Sequence, residues 1–184
     1  MLRDIQKILT RKSDPKAIES FQKFIPSSQN VYGVKVPILN ELAKRYKSGG
    51  FDLVEKLWKS GAFEEKLLAA KILGKVCKKD PKKTIELIQQ FSSDISDWAV
   101  CDTLGTQGVR GIAKIKQNEI FNLAKKFVKS EYMWQRRMGV VLLINYSKEN
   151  NLRDEIRKII KPLEKDNEHY IKKAMIWIEK GLEK

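Results

Sequence analysis

The chain has 184 residues, 42% of them hydrophobic and 33% charged, and its formal net charge is +14. This composition indicates a globular protein, because no apolar run approaches the length of a membrane-spanning helix and the N-terminal stretch lacks the apolar centre of a secretory signal. We therefore expect one domain over residues 1–184, a cytoplasmic location and no membrane partner. The charge favours a polyanionic partner, although a general lysine enrichment of the proteome would produce the same excess.

Helical periodicity runs through the sequence, and strand-like alternation is not sustained anywhere. Asp14-Pro15 and Asp80-Pro81 predict helix starts, Ser48-Gly49-Gly50 predicts a helix end, and Ser96 is predicted to cap the following helix. The predicted helices span residues 14–24, 37–48, 52–58, 64–78, 81–91, 97–104, 117–129, 131–147, 151–164 and 168–182. These elements predict an all-α protein.

Four helical segments resemble one another, each with charged or polar residues before a small-residue patch and an apolar run. They are EEKLLAAKILGK, DWAVCDTLG, WQRRMGVVLLINY and YIKKAMIWIEKGL. Aligning Ala69, Met138 and Ala174 gives separations of 69 and 36 residues, which fit a repeat of roughly 35 residues. Paired helices at this period predict an α-α superhelix of HEAT-like or armadillo-type repeats, and an irregular helical bundle is the alternative.

Metal-binding residues are few. Cys77 and Cys101 are the only cysteines, and each lies in an apolar helical pattern, so we expect buried free thiols. With His169 as the single histidine, the sequence offers no structural zinc site, and we expect no metal.

Basic residues are concentrated between positions 110 and 137, where only Glu119 and Glu131 oppose them. The cluster consists of Arg110, Lys114, Lys116, Lys125, Lys126, Lys129, Arg136 and Arg137. We expect it to form one positive surface that contacts phosphates, while the alternative is a solvated face without a partner.

One carboxylate stands in an apolar stretch, because Asp102 lies within AVCDTL. Trp98 is four residues before it, on the same helix face. Such an Asp needs a function or a structural partner, for instance a nearby arginine or the start of a helix. Trp134 and Arg137 also share a helix face, and Trp177 lies in the next similar segment, so we expect all five residues on one concave surface.

Five segments, in order, resemble the AlkD-type DNA alkylation repair family. They are YGVKVPILNELAKRY, LWKSGAFEEKLLAAKIL, SDWAVCDTLG, EYMWQRRMGVVLL and YIKKAMIWIEKGL, and the resemblance extends from about residue 17 to the C-terminus. It implies helical repeats with a concave, basic, DNA-binding face. It also implies excision of positively charged N3- and N7-alkylated purines from duplex DNA, without a cofactor and without flipping the lesion into a pocket, unlike most enzymes that act on bases.

The resemblance also implies site residues. Asp102 matches the catalytic aspartate of the family, Trp98 and Trp177 match tryptophans beside it, and Phe24 stands where the family carries a tyrosine near the lesion. The expected catalytic residues are Asp102, Trp98 and Trp177, and the expected DNA-binding residues are Arg137, Arg136, Trp134, Arg110, Lys114, Lys116 and Phe24. We expect a monomer. The competing hypothesis is a non-catalytic HEAT-like scaffold that binds nucleic acid or an acidic protein.

Overall fold

All regular elements are helices in the computed structural model, which describes residues 1–26 and 29–183. The α-helices are α1 (Leu2–Arg11), α2 (Pro15–Gln22), α3 (Val36–Tyr46), α4 (Gly50–Ser60), α5 (Phe63–Val76), α6 (Pro81–Phe91), α7 (Trp98–Gln107), α8 (Gln117–Phe127), α9 (Met133–Leu143), α10 (Arg153–Ile160) and α11 (His169–Leu182). Short 3-10 turns extend several of them, and the all-α prediction is confirmed.

The helices form two layers. Helices α3, α5, α7, α9 and α11 pack side by side in chain order, and we call them the first layer. The second layer consists of α4, α6, α8 and α10, in which α4 packs on α5, α8 packs on α9, and α6 and α10 lie beside α8. This alternation of layers is an α-α superhelix, as the repeat pattern predicted.

Aspartates begin three of the helices by accepting a backbone hydrogen bond. Asp14 accepts from Lys16 N, Asp80 from Lys83 N and Asp97 from Val100 N. The starts predicted at Asp14-Pro15 and Asp80-Pro81 are confirmed. The cap predicted at Ser96 is wrong by one residue, because the carboxylate of Asp97 reaches the backbone of α7 and the Ser96 hydroxyl instead contacts Gln29.

Two glycines allow helices of the first layer to approach closely. A Cβ atom on Gly74 would lie 2.2 Å from the Gln107 carbonyl oxygen, and one on Gly105 would lie 2.7 Å from a methyl carbon of Val141. These contacts join α5 to α7 and α7 to α9. The small-residue patches therefore do set the spacing of the repeats, as the sequence predicted.

Both cysteines, Cys77 and Cys101, are free and buried, which confirms that prediction. Within the described ranges, no helix combines the length and apolar character needed to span a membrane.

Candidate functional site

Helix α7 presents its first turns to an open pocket. Trp98 is the first residue of the helix, and Asp102 lies one turn later. Both line a pocket of about 250 Å³ between the start of α7, helix α5 and the segment that leads into α3. The structure thus brings the predicted Trp98 and Asp102 together.

Aromatic side chains form one wall of this pocket, which we call the Asp102 pocket. The Trp98 ring is exposed and lies 5.1 Å from the ring of Phe24. Phe24 in turn packs edge-on against Phe21 and Phe63. Phe24, which was predicted as a DNA contact, therefore lies beside Trp98 and lines the same pocket as Asp102.

A two-pronged ion pair holds the Asp102 carboxylate. Arg137 on α9 donates from Nε to Oδ1 at 2.9 Å and from Nη2 to Oδ2 at 2.8 Å. Arg137 also donates from Nη1 to the carbonyl oxygen of Tyr170 in α11. Three helices of the first layer thus meet at one guanidinium group, which fixes the orientation of the carboxylate.

Two opposing effects act on the pKa of Asp102. Burial raises it above the ordinary value of 3.8, while the hydrogen bonds and charge of Arg137 lower it, and the net shift is upward. The ion pair alone suits a structural role as well as a catalytic one. A catalytic role is favoured because a ligand in the pocket can reach the carboxylate. The Asp102 side chain is 19% exposed and lines the pocket, while Arg137 is buried beneath it.

The two remaining tryptophans differ in exposure. Trp134 is only 8% exposed and its ring packs 4.9 Å from that of Tyr170. We expected Trp134 to contact DNA, but burial assigns it to the support of α11 instead. Trp177 is exposed and follows Tyr170 by seven residues, so it lies on nearly the same side of α11, about 10 Å further along the axis.

The predicted basic cluster is not one surface. Arg136 is largely buried, where it donates to Asp166 and to the carbonyls of Ser130 and Glu131. Lys125 and Lys129 line a groove between α8 and α10 in the second layer. The expectation of a continuous positive face over residues 110–137 was therefore wrong, because consecutive helices alternate between layers.

The loop after α7 carries the other three predicted basic contacts. Lys114 is exposed, and Lys116 forms an ion pair with Glu119. Arg110 lines a second pocket, which it shares with Lys71 of α5. Of these three residues, Arg110 is the one that the structure brings next to the Asp102 pocket, since Lys71 lines both pockets.

Sequence reasoning missed two charged residues of α5. Lys71 is only 6% exposed, and its Nζ lies 3.4 Å from Oε1 of Gln107. Glu64 is fully buried and accepts hydrogen bonds from the backbone nitrogens of Gly33 and Val34, which hold this segment against the pocket. The available signal was a lysine within the apolar run LLAAKIL, analogous to the aspartate within AVCDTL.

Metal-ligating side chains are dispersed. No group of three or more His, Cys, Asp or Glu residues that could hold a metal ion occurs in residues 1–26 and 29–183.

Comparisons with known proteins agree with this fold. The sequence model of a family described as DNA alkylation repair enzyme matches residues 5–178. Among solved structures, the chain is similar to a predicted DNA alkylation repair enzyme from Enterococcus faecalis, at 14% identity and a TM-score of 0.78, covering 93% of this chain and 83% of that one. A comparison with curated proteins finds no match.

Proposed function

The chain belongs to the DNA alkylation repair enzyme family, and we propose that it is a DNA glycosylase that releases positively charged N3- and N7-alkylated purines from duplex DNA. The observation that carries this proposal is Asp102, a partly exposed carboxylate that Arg137 orients within a pocket walled by Trp98 and Phe24. A pure scaffold has no need of an oriented carboxylate at an open surface.

The chemistry follows from the charge of the substrate. An N3- or N7-alkylated purine is already cationic. When the C1′–N bond breaks, the base takes the bonding electron pair and departs as a neutral molecule. The deoxyribose then acquires oxocarbenium character. A carboxylate held close to C1′ stabilises this developing positive charge. Water adds to C1′, and its proton passes to the carboxylate, which completes the hydrolysis.

The predicted site residues have separate tasks in this proposal. Trp98, which lines the Asp102 pocket, and Trp177, which is exposed on α11, have aromatic rings that favour a nearby cation. Arg137 orients Asp102 and lowers its pKa against the larger, opposite effect of burial. The Arg137 side chain is only 6% exposed, so its guanidinium lies beneath the carboxylate and is largely shielded from a DNA backbone. The burial that argues against a DNA contact by Trp134 therefore also argues against the phosphate contact expected of Arg137.

The decisive experiment replaces Asp102 with Asn and measures base release from a duplex that carries 7-methylguanine. The substitution keeps the size of the side chain and removes its charge, so the single-turnover rate should fall by ~10²–10³, or about 3–4 kcal/mol, after subtraction of spontaneous depurination. Duplex affinity should be unchanged or slightly higher, because a negative charge near the phosphates has been removed.

Asp166→Asn is the matched control. Asp166 forms an analogous buried ion pair with the adjacent Arg136 but does not line the Asp102 pocket. This variant should excise at nearly the wild-type rate. Equal excision by wild type and Asp102→Asn would make Asp102 a structural residue, and duplex binding by wild type without any base release would favour the scaffold hypothesis.

A further inference from the structure

A second pocket adjoins the Asp102 pocket, and no role has yet been assigned to it. It has a volume of about 240 Å³ and lies between the C-terminal half of α5 and the end of α7. We call it the Lys71 pocket, and its lining residues are Lys71, Gly74, Lys75, Gln107, Arg110 and Gly111. Lys71 and Gln107 line both pockets, so the two are contiguous.

The Lys71 pocket is strongly positive. Lys71, Lys75 and Arg110 contribute three cations, and its lining includes no carboxylate. Within the described part of the chain, none of these three forms an ion pair, whereas Lys83, Lys116 and Lys125 elsewhere do. Lys71 and Lys75 are also four residues apart on one helix face. Two like charges at this spacing destabilise a helix unless an anion lies between them.

The Lys71 amine is the most unusual group of this pocket. The Lys71 residue is only 6% exposed, and the hydrogen-bond partner of its Nζ among the described residues is the Gln107 side chain at 3.4 Å. Burial lowers the pKa of Lys71, and the charge of Lys75 lowers it further. A bound anion would supply the negative charge that no described carboxylate gives to Lys71, and it would raise the pKa of the Lys71 amine again.

Glycines keep the pocket narrow. A Cβ atom on Gly74 would lie 2.2 Å from the Gln107 carbonyl oxygen, and one on Gly111 would lie 2.6 Å from Sγ of Cys77. Helices α5 and α7 and the loop after α7 can therefore approach closely enough for Lys71 and Arg110 to line the same small opening. A small, tetrahedral oxyanion suits such a site.

We propose that the Lys71 pocket binds one backbone phosphate of the damaged strand and thereby sets the position of the damaged sugar against Asp102. This inference rests on the proposed glycosylase function and deepens it. Gln107 follows Asp102 by five residues, about 7.5 Å along the axis of α7. Because Asp102 and Gln107 both line the Asp102 pocket and Gln107 also lines the Lys71 pocket, a strand with a phosphate in the Lys71 pocket would bring a neighbouring sugar towards Asp102.

The first test uses the free protein and inorganic phosphate. Titration followed by NMR should give saturable shifts of the backbone amides of Gly74, Gln107 and Gly111. Lys71→Met should abolish these shifts, since it removes the buried charge and retains an unbranched apolar side chain. Lys126→Met, which removes an exposed lysine of α8, should leave them intact. Shifts that survive in Lys71→Met, or none in the wild type, would overturn the phosphate site.

The second test identifies the phosphate in DNA. Duplexes with 7-methylguanine receive one neutral methylphosphonate at each backbone position around the lesion in turn. At one position the substitution should weaken wild-type binding about tenfold and leave Lys71→Met unaffected, because the charged contact is already lost. Lys71→Arg should restore most of that sensitivity. Equal losses for wild type and Lys71→Met at every position would contradict the proposal.

The two proposals fail in different ways. Both tests of the Lys71 pocket measure binding, so absence of base release would overturn the glycosylase and leave the phosphate site standing. If the phosphate positions the sugar, Lys71→Met should also lower the single-turnover rate at saturating DNA, by about tenfold, because the misplaced sugar is further from Asp102. An unchanged saturated rate would reduce the pocket to an affinity site and overturn its positioning role.

Discussion

Arg137 serves Asp102 in two opposite ways. Its two-pronged contact lowers the pKa of Asp102 against the larger effect of burial and so favours the ionised carboxylate. The same positive charge, however, offsets part of the field that Asp102 offers to a developing cation. In the proposed mechanism the substrate meets Asp102 from the pocket, where the carboxylate is 19% exposed and the Arg137 side chain only 6% exposed. The positive charge that develops on the sugar would therefore lie closer to the carboxylate than to the guanidinium.

Replacing Arg137 with Met should separate its structural and electrostatic contributions. Loss of the buried pair should lower the free energy of unfolding by about 2–3 kcal/mol, less than for a fully buried pair because Asp102 is partly exposed. Without Arg137 the pKa of Asp102 rises further, since burial is then unopposed. The single-turnover excision rate should therefore begin to fall at a higher pH than in the wild type as the solution is acidified.

Arg136→Met provides the control for this prediction. Arg136 also forms a buried ion pair, with Asp166, so its loss should destabilise the protein without moving the acid limb of the pH–rate profile. An Arg137→Met profile that coincides with that of Arg136→Met would show that Arg137 acts on stability alone.

At the level of single residues, the sequence revealed charged side chains within apolar stretches but not the partners that these side chains have in the structure. A carboxylate in an apolar stretch predicted that Asp102 has a partner or a function, and it has Arg137 at the edge of a pocket. Lys71 presents the same conflict, yet it was missed because lysine stems cover apolar surface so commonly. The partners could not be predicted, since a pairing across 35 residues depends on how α7 and α9 pack.

Helix α7 is the element that joins the two pockets. It carries Trp98 and Asp102 in its first turns and Gln107 at its end, so its position decides the geometry of the whole site. Its N-cap, Asp97, is fully buried. One of its carboxylate oxygens accepts from Val100 N, and the other has no hydrogen-bond partner among the described residues. Stability of α7 therefore depends on the protonation of this cap.

The contribution of Asp97 to the stability of the protein should fall as pH rises from about 4 to about 6. Burial raises the pKa of Asp97 from 3.8 to about 6, so the folded state binds a proton more tightly than the unfolded chain. The stabilisation is complete below the unfolded pKa and is lost as pH rises through the folded pKa. The difference amounts to at most about 3 kcal/mol.

Chemical denaturation at several pH values would measure this effect. Asp97→Asn keeps a good N-cap and cannot titrate, so the stability difference between wild type and this variant isolates Asp97. A difference that stays constant between pH 4 and pH 7 would contradict the prediction.

At the level of elements, cap chemistry and apolar period predicted most helices, and the failures have local causes. Helix α1 was missed, although Leu2, Ile5 and Leu9 stand at helical spacing and Ile5 and Leu9 are fully buried, because no capping side chain marks its start. Helix α7 extends to Gln107, beyond the predicted Leu104, because Gly105 sits at a helix–helix contact and does not end the helix.

Basic residues line at least two separate surfaces of the molecule. Near the Asp102 pocket, Lys71, Lys75 and Arg110 lie without carboxylate partners among the described residues. In the second layer, the groove between α8 and α10 is lined by Lys125, Lys129 and Lys158, together with Glu155, which pairs with Lys125. Sequence alone could not make this division, because neighbouring positions along the chain belong to different layers. Only the first of these surfaces adjoins the proposed catalytic group.

Duplex binding should therefore depend steeply on salt, and only one of the two surfaces should account for it. If the site side of the molecule neutralises about six phosphates, log K should fall with log salt at a slope of roughly −5. Arg110→Met should reduce the magnitude of that slope by about 0.9, as expected for one lost phosphate contact. Lys129→Met removes the same charge from the second-layer groove, so the net charge of the two variants is identical, and its slope should equal that of the wild type.

Fluorescence anisotropy with an undamaged duplex at several salt concentrations would measure all three slopes. Equal reductions in the two variants would mean that net charge, and not the surface beside Asp102, determines how this protein binds DNA.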